Sequence, residues 1–191
     1  MQIFSWSDFL SSSSPLFEQA SALCIGSFDG PHRGHYEIFK KVLSFSRENN
    51  TRAGIITFSK TITSIKKQND YLGDISPLVA RLGIFAELGF DFCILIDFSD
   101  NFAHLTGEDF FKLLKEKLNL EYICEGQDFK CGYKGAFKKE EITVWGKENS
   151  VQTEFIPLVL DQGERISSSK IRKMLKDHEE KKARLLLTAL P

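Results

Sequence analysis

Two short stretches hold the residues able to do chemistry. The first, CIGSFDGPHRGH at residues 24–35, packs three glycines, a proline, an aspartate and two histidines into twelve positions directly behind an apolar run. The second, RISSSKIR at residues 165–172, sets three consecutive serines ahead of Lys170 and Arg172. Gly26 and Gly30 permit positive φ and a close backbone approach. A helix starting near Gly34 presents free N–H groups which, with the helix dipole, favour an anion. His32 and His35, three apart, then share one face and aim at one ligand. Arg172, four and three residues beyond Ser168 and Ser169, shares the face of a second helix start, where its fork of donors pairs phosphate oxygens. Neither G-x-x-x-x-G-K-[ST] nor G-x-G-x-x-G is present. On the residues alone other readings stand. The first stretch also fits a βα turn with solvated or capping histidines, or a metal site, although no third ligand lies nearby. The second also fits an N-capped surface helix with solvated Lys170 and Arg172.

Five apolar runs predict the strands that carry these stretches: residues 22–28, 53–58, 91–97, 121–126 and 151–159. The first four are nearly continuous in apolar character, as strands buried on both faces are. The fifth is mixed and belongs nearer an edge. Helical period fills the intervals. GHYEIFKKVLSFSREN sets Ile38, Val42 and Phe45 on one stripe. SPLVARLGIFAELG opens with a Ser-Pro pair suited to an N-cap and first helical position, and closes at Gly89. TGEDFFKLLKEKLNL has the Thr106 and Asp109 spacing of a capping box. SSSKIRKMLKDHEEKKARLLLTAL reads as one or two terminal helices. Two loops, 59–76 and 126–142, are long enough to be functional. Strand–helix alternation implies an α/β fold with a parallel sheet and right-handed crossovers. Such sheets bind ligands beyond the carboxyl ends of their strands, which is where residues 24–35 fall.

The 191 residues fit one domain at about 100–200 residues per domain. A formal net charge of −1 carries no basic field and argues against nucleic acid as partner. An anionic ligand must therefore be held by local groups. Cys24, Cys93, Cys124 and Cys131 form no C-x-x-C pair, and three of them sit in apolar runs, as free thiols in a reducing cytoplasm do. The N-terminus lacks the basic and apolar regions of a signal peptide, and no stretch approaches the roughly 18 apolar residues of a membrane span.

GSFDGPHRGH resembles the G-x-F-D-x-x-H-x-G-H signature of the nucleotidyltransferase superfamily, and RISSSKIR resembles its I-S-S-[ST]-x-I-R motif. The pair is most similar to the FMN adenylyltransferase module of bacterial FAD synthetases. GFDFCILIDFSDNFAHLTGEDFF and EGQDFKCGYKG resemble further segments of that module, so the likeness runs along nearly the whole chain. Ser27 replaces a usual Asn, a Pro-rich segment after the second strand is missing, and Cys131 replaces a Phe.

The resemblance implies a Rossmann-like parallel sheet flanked by helices, one nucleotidyltransferase domain over 1–191, and the reaction ATP + FMN giving FAD and pyrophosphate. It implies catalytic roles for His32, His35, Ser168 and Arg172, and ATP contacts from Gly26, Ser27, Phe28, Asp29, Gly34, His35, Arg165, Ser167, Ser168, Ser169 and Arg172. Flavin is expected near Asp128 and Phe129, with Phe58 as stacking partner. Mg²⁺ is expected to arrive with ATP, without dedicated protein ligands. The family's usual riboflavin kinase domain has no counterpart here, so a separate riboflavin kinase is the expected source of FMN. Two alternatives stay open: an adenylyl- or cytidylyltransferase for another phosphorylated substrate, and a non-catalytic flavin or nucleotide binder.

Overall fold

The computed structural model describes residues 1–60, 73–97 and 100–187. In chain order the elements are β1 (Gln2–Ser5), α1 (Trp6–Ser11), β2 (Ser21–Ile25), α2 (Arg33–Asn49), β3 (Arg52–Phe58), α3 (Leu78–Leu88), β4 (Phe92–Ile96), α4 (Asp100–Ala103), α5 (Gly107–Leu118) and β5 (Leu120–Gly126). They continue with β6 (Lys130–Cys131), β7 (Phe137–Lys138), α6 (Lys139–Glu148), β8 (Gln152–Ile156), β9 (Leu160–Asp161), β10 (Glu164–Arg165), α7 (Ser168–Lys176) and α8 (Glu180–Leu187). Six strands form one parallel sheet in the order β1-β4-β3-β2-β5-β8. The chain winds outward from β2 through β3 to β4, then returns to the other side of β2 with β5. That reversal puts the topological switch point between the carboxyl ends of β2 and β5.

Each strand sends alternate residues to two different layers. Leu23, Ile25, Ile56, Phe92, Ile94 and Ile96 meet α1, α5 and α6 through Trp6, Phe9, Phe110, Phe111, Leu114 and Trp145. The opposite face is mostly small, with Ala22, Cys24, Ala53, Cys93 and Cys124 beside the larger Ile55 and Tyr122. That shallow face admits the rings of Phe28, Phe39, Phe85 and Phe90 from the α2 and α3 side. Thus the three buried cysteines are packing residues, and all four cysteines are free.

The helices begin and end for local reasons. α2 buries Ile38, Phe39 and Val42 on one stripe, each worth about 1.5–3 kcal/mol when fully buried. It ends at Asn50, whose left-handed φ of 52° lets its N–H reach the Ser46 carbonyl. Thr106 caps α5, accepting from the Asp109 N–H at 3.1 Å, and Gly89 closes α3 at φ 96°. At α3 the expected cap is displaced by one residue. Pro77 takes the N-cap position, and the Ser76 hydroxyl instead accepts from the Gly30 N–H at 2.9 Å.

Among the elements not foreseen from the sequence are α1, α4 and the short β9–β10 pair, together with β1 and α6. β1 is four residues long and half exposed, too short to show a period. α6 falls within and beyond the loop expected at 126–142, where β-branched Ile142, Thr143 and Val144 and a mid-helix Gly146 mask the Ile142/Trp145 stripe. The rest of that loop is the β6–β7 hairpin. Most of the other expected loop, residues 61–72, lies outside the described residues, as do 188–190 of the expected terminal helix. No described helix is long and apolar enough to cross a membrane.

Gly54 marks the tightest point of the sheet. A Cβ there would stand 2.2 Å from Phe92 Cζ and 2.5 Å from Leu23 Cδ2. Overpacking of this kind costs about 1–3 kcal/mol. Gly54→Ala is therefore expected to lower the thermal midpoint by about 2–4 °C per kcal/mol. A scan showing an unchanged midpoint would mean that Phe92 turns aside without cost.

A candidate nucleotidyl-transfer site at the switch point

The chain leaves β2 through a turn that only small or strained residues can make. Phe28 has φ 44° and Gly30 has φ 58°. At Gly30 a Cβ would lie 2.4 Å from Ile75 Cγ2, so glycine is required for space as well as for φ. The Phe28 ring folds back beneath Gly26 and packs edge-on to His35 at 5.2 Å, Phe39 at 4.9 Å and Phe85 at 6.0 Å. Phe28, expected as a nucleotide contact, is among the residues lining the first of the two cavities described below. Its ring is core and steadies His35, because the left-handed turn drives it inward.

Asp29 holds this turn in place. Its carboxylate accepts from the Ile75 N–H at 2.9 Å, the Ser76 N–H at 3.0 Å and Arg172 Nη2 at 2.5 Å. The pair is buried, with Asp29 1% and Arg172 8% exposed. Arg172 Nε donates to the Gly73 carbonyl at 3.1 Å. The Ser168 hydroxyl donates to the Asp29 carbonyl at 2.9 Å, and the Ser167 hydroxyl caps α7 by accepting from the Lys170 N–H. Asp29 is therefore an internal anchor, and it also lines the cavity in which the sequence places it as an ATP contact. Two of the three guanidinium nitrogens of Arg172 are committed to protein, while the residue still lines the cavity.

His32 and His35 stand on the first turn of α2 with rings stacked 3.7 Å apart at 16°. The His32 N–H donates to His35 Nδ1 at 3.4 Å, which leaves the proton of a neutral His35 on Nε2. His32 Nδ1 is buried with no partner. Burial, helped by the charge of Arg165, pushes His32 down to about 4. His35 is held well below the usual range by burial and by His32. Both shifts favour the neutral ring at pH 7, so the histidines offer dipoles rather than positive charge.

These groups line a cavity of about 340 Å³, with the α7 start, Gly34, Arg165 and the residues from Ile156 to Val159 completing its wall. A second cavity, of about 400 Å³, adjoins it and is lined by Phe58, Phe102, Leu105, Phe110 and Phe129 with Lys130 and Lys134. Ile25, Gly26, Asp128 and Phe129 line both. Phe58, Asp128 and Phe129, expected together, do meet in the second cavity. Asp128 pairs with Arg165 across the boundary between the cavities.

Two residues of the site had escaped the sequence. Arg81 on α3 is fully buried. Its Nη1 donates to the Ser27 carbonyl at 2.6 Å and its Nη2 to the Phe58 carbonyl at 3.2 Å, tying the ends of β2 and β3 together. Glu125 lines the first cavity and its Oε1 accepts from the Ile25 N–H at 2.6 Å. Burial raises its carboxyl well above the ordinary range, against the opposing Ile25 bond and with help from Asp128. An acid ending an apolar strand was a visible signal for Glu125. An arginine inside an amphipathic helix gave none for Arg81.

A doubly wound parallel sheet, with two helix starts and paired histidines at its switch point, defines an α/β domain of the nucleotidyltransferase type. The chain belongs to the FAD synthetase family, whose model matches residues 15–170. It is 25% identical over 169 residues to the bifunctional riboflavin kinase/FMN adenylyltransferase of Listeria monocytogenes, covering 86% of this chain and 52% of that protein. It is 26% identical over 169 residues to the FAD synthetase of the same organism, covering 88% of this chain and 69% of that one. The chain thus spans about half the length of the bifunctional relatives it matches. The crystal structure named as a macrolide-efflux protein from Streptococcus pneumoniae aligns with TM-score 0.82 over 98% of this chain and 60% of that chain. Its identity of 24% makes it a likeness of fold alone.

Two outcomes follow from this geometry. A histidine depressed from 6.5 to about 4 contributes stability that is complete above pH 6.5 and is lost as pH falls through its folded value. For His32 the loss reaches about 3 kcal/mol, and His35 adds to it in the same direction. Urea midpoints measured from neutral pH to pH 4 should fall, and His32→Gln should remove part of the slope. Arg172→Ala strands a buried carboxylate and should cost about 3–5 kcal/mol. A wild-type melting temperature for that variant would show the Asp29 pair to be dispensable.

Proposed function

We propose that this chain transfers the adenylyl group of ATP to FMN, releasing pyrophosphate and forming FAD. The observation that carries the reading is the pair of adjoining cavities. One is polar and ringed by helix starts and histidines. The other is walled by phenylalanines and edged by Lys130 and Lys134. A dinucleotide product must bridge two such chambers, with its phosphates at the boundary formed by Ile25, Gly26, Asp128 and Phe129. The family's name and the FMN adenylyltransferase in the names of its relatives support this assignment.

The chemistry needs little from the protein beyond placement. An oxygen of the FMN phosphate attacks the α-phosphorus of ATP, the bond from that phosphorus to the β-bridging oxygen breaks, and the electron pair leaves with pyrophosphate. A phosphate is already anionic, so no strong base is required. Catalysis rests on orientation and on donors aimed at charge that grows on the leaving group. His32, with an unpartnered buried nitrogen, His35 and the N-terminus of α7 are those donors. Gly34 keeps the entry of α2 open, since a Cβ there would sit 3.3 Å from the His32 ring. Arg165 reaches phosphate by exchanging Asp128 for it. Mg²⁺ enters as part of the ATP substrate, held by phosphate oxygens and water. A cytoplasmic setting fits the free thiols, and a separate riboflavin kinase fits as supplier of FMN.

Purified protein given ATP and FMN should release pyrophosphate and form FAD, identified by chromatography. His32→Ala and His35→Ala should each lower turnover by about 10²–10³-fold with the circular dichroism intact. Pyrophosphate release with nicotinamide mononucleotide or phosphopantetheine and not with FMN would move the activity to another acceptor. Binding of ATP and FMN with no release would make the chain a binder.

A further inference from the structure

Glu125 sits where the sheet runs out of backbone partners. β2 and β5 pair at Ala22 with Tyr122 and at Leu23 with Ile123. Continuing that register brings Ile25 beside Glu125, but there the strands part to open the switch point. The Ile25 N–H, left without a ladder acceptor on that side, is taken by Glu125 Oε1. Ile25 is also one of the residues lining both cavities. The carboxyl is thus fixed at the boundary where the phosphates of the two substrates must meet.

The carboxyl has no counter-charge. It is 2% exposed, and none of the ion pairs among the described residues includes it. The groups around it are Asp128 from the turn after β5, itself paired with Arg165, and the thiols of Cys24, Cys124 and Cys131. From α2 the neutral His35 lines the same cavity. An unpaired buried carboxylate is costly, so the group keeps its proton. A protonated carboxyl offers one carbonyl acceptor and one O–H donor. The Ile25 N–H occupies the acceptor. The donor is left for whatever fills the cavity, and the cavity's other free groups are also donors. Their common complement is an anion.

We propose that Glu125 holds its proton in the resting protein and donates it as a hydrogen bond to a phosphate oxygen of the nucleotide at the boundary of the two cavities. The proton stays on the carboxyl, and no bond is made or broken. The proposal rests on the nucleotidyl-transfer reading of the site but not on FMN as the acceptor. It makes nucleotide binding fail at alkaline pH, since an ionised Glu125 repels phosphate where the protonated form attracts it.

ATP binding by calorimetry, without FMN, tests this in the wild type, Glu125→Gln and Glu125→Leu. Above the Glu125 pKa the wild type should lose about tenfold in ATP affinity per pH unit, one proton being linked to binding. Glu125→Gln keeps an acceptor for Ile25 and a neutral donor for phosphate. It should bind ATP a few-fold more weakly at neutral pH and show no alkaline fall. Glu125→Leu, similar in volume and without a donor, should bind at least about tenfold more weakly. The infrared difference between wild type and Glu125→Gln, with no ligand present, should show a protonated carboxyl at pH 7. If Glu125→Gln does not fold, the wild-type band should vanish with the same midpoint at which ATP affinity falls. A carboxylate at pH 7, a wild-type alkaline fall in Glu125→Gln, or wild-type binding in Glu125→Leu overturns the role. ATP binding with the expected pH signature but no FAD formed removes FMN as acceptor and leaves Glu125 standing. FAD formed with no pH signature does the reverse.

Discussion

The site depends on one buried carboxylate. Asp29 gathers the N–H groups of Ile75 and Ser76 and the guanidinium of Arg172, while its own carbonyl accepts from Ser168. Those partners come from two distant parts of the chain, the approach to α3 and the start of α7, and Asp29 joins both to the turn after β2. A buried ion pair is weak support for stability when compared with a packed apolar pair, because both charges lose their water. Its value lies in position. With Arg172 on the Asp29 side chain and Ser168 on its backbone, α7 cannot slide along the sheet without exposing charge to apolar surroundings. The helix start is thereby held over the same cavity that α2 opens onto. The strained turn at Phe28 and Gly30 is the cost of bringing that carboxylate inward.

Arg81 supplies the corresponding constraint from below. It joins the Ser27 and Phe58 carbonyls, which belong to opposite cavities, with a cation that no residue listens to from solvent. The boundary between the cavities is therefore clamped at two levels. Asp29 and Arg172 set the first cavity, and Arg81 couples it to the aromatic one. The small-residue face of the sheet completes the arrangement. Ala22, Cys24 and Ala53 leave room for the Phe28 ring, and Phe28 in turn supports the His35 ring. A larger residue on that face would reach the histidines through two rings without touching the ligand.

The strands and the principal helices were legible because their periods are strong. Four apolar runs and the stripe of α2 can bury their residues in only one way. The cavity histidines were legible because two imidazoles beside three glycines are too unusual for an ordinary turn. What could not be read were the pairings made at long range. Asp29 looked like a ligand contact, and only folding brings it to Arg172, 143 positions away. Ser76 looked like a cap, and its hydroxyl serves Gly30 instead. Local chemistry nominates what a side chain can bond, and topology decides which partner arrives. α6 was hidden for the opposite reason. Its residues have weak helix preference, and the packing of Ile142 and Trp145 against the sheet overrides it.

The electrostatic plan of the site follows from its small net charge. With a formal charge of −1 over the whole chain, no long-range field draws an anion in. The histidines are kept neutral, the one buried cation of the cavity wall is matched by Asp29, and Arg165 is matched by Asp128. The charged groups of the site are thus largely balanced by one another. Attraction to phosphate must come from dipoles, the N–H groups of two helix starts and neutral donors, which act only at contact. Donors of this kind, fixed by the fold, need no reorganisation when charge develops on a ligand. A site built on free lysines would bind phosphate more strongly in the ground state and gain less in the transition state. The exposed Asp128–Arg165 pair is the part of this balance that the ligand itself can undo. Half in solvent, it is weakly held, so breaking it to pair Arg165 with another anion costs little.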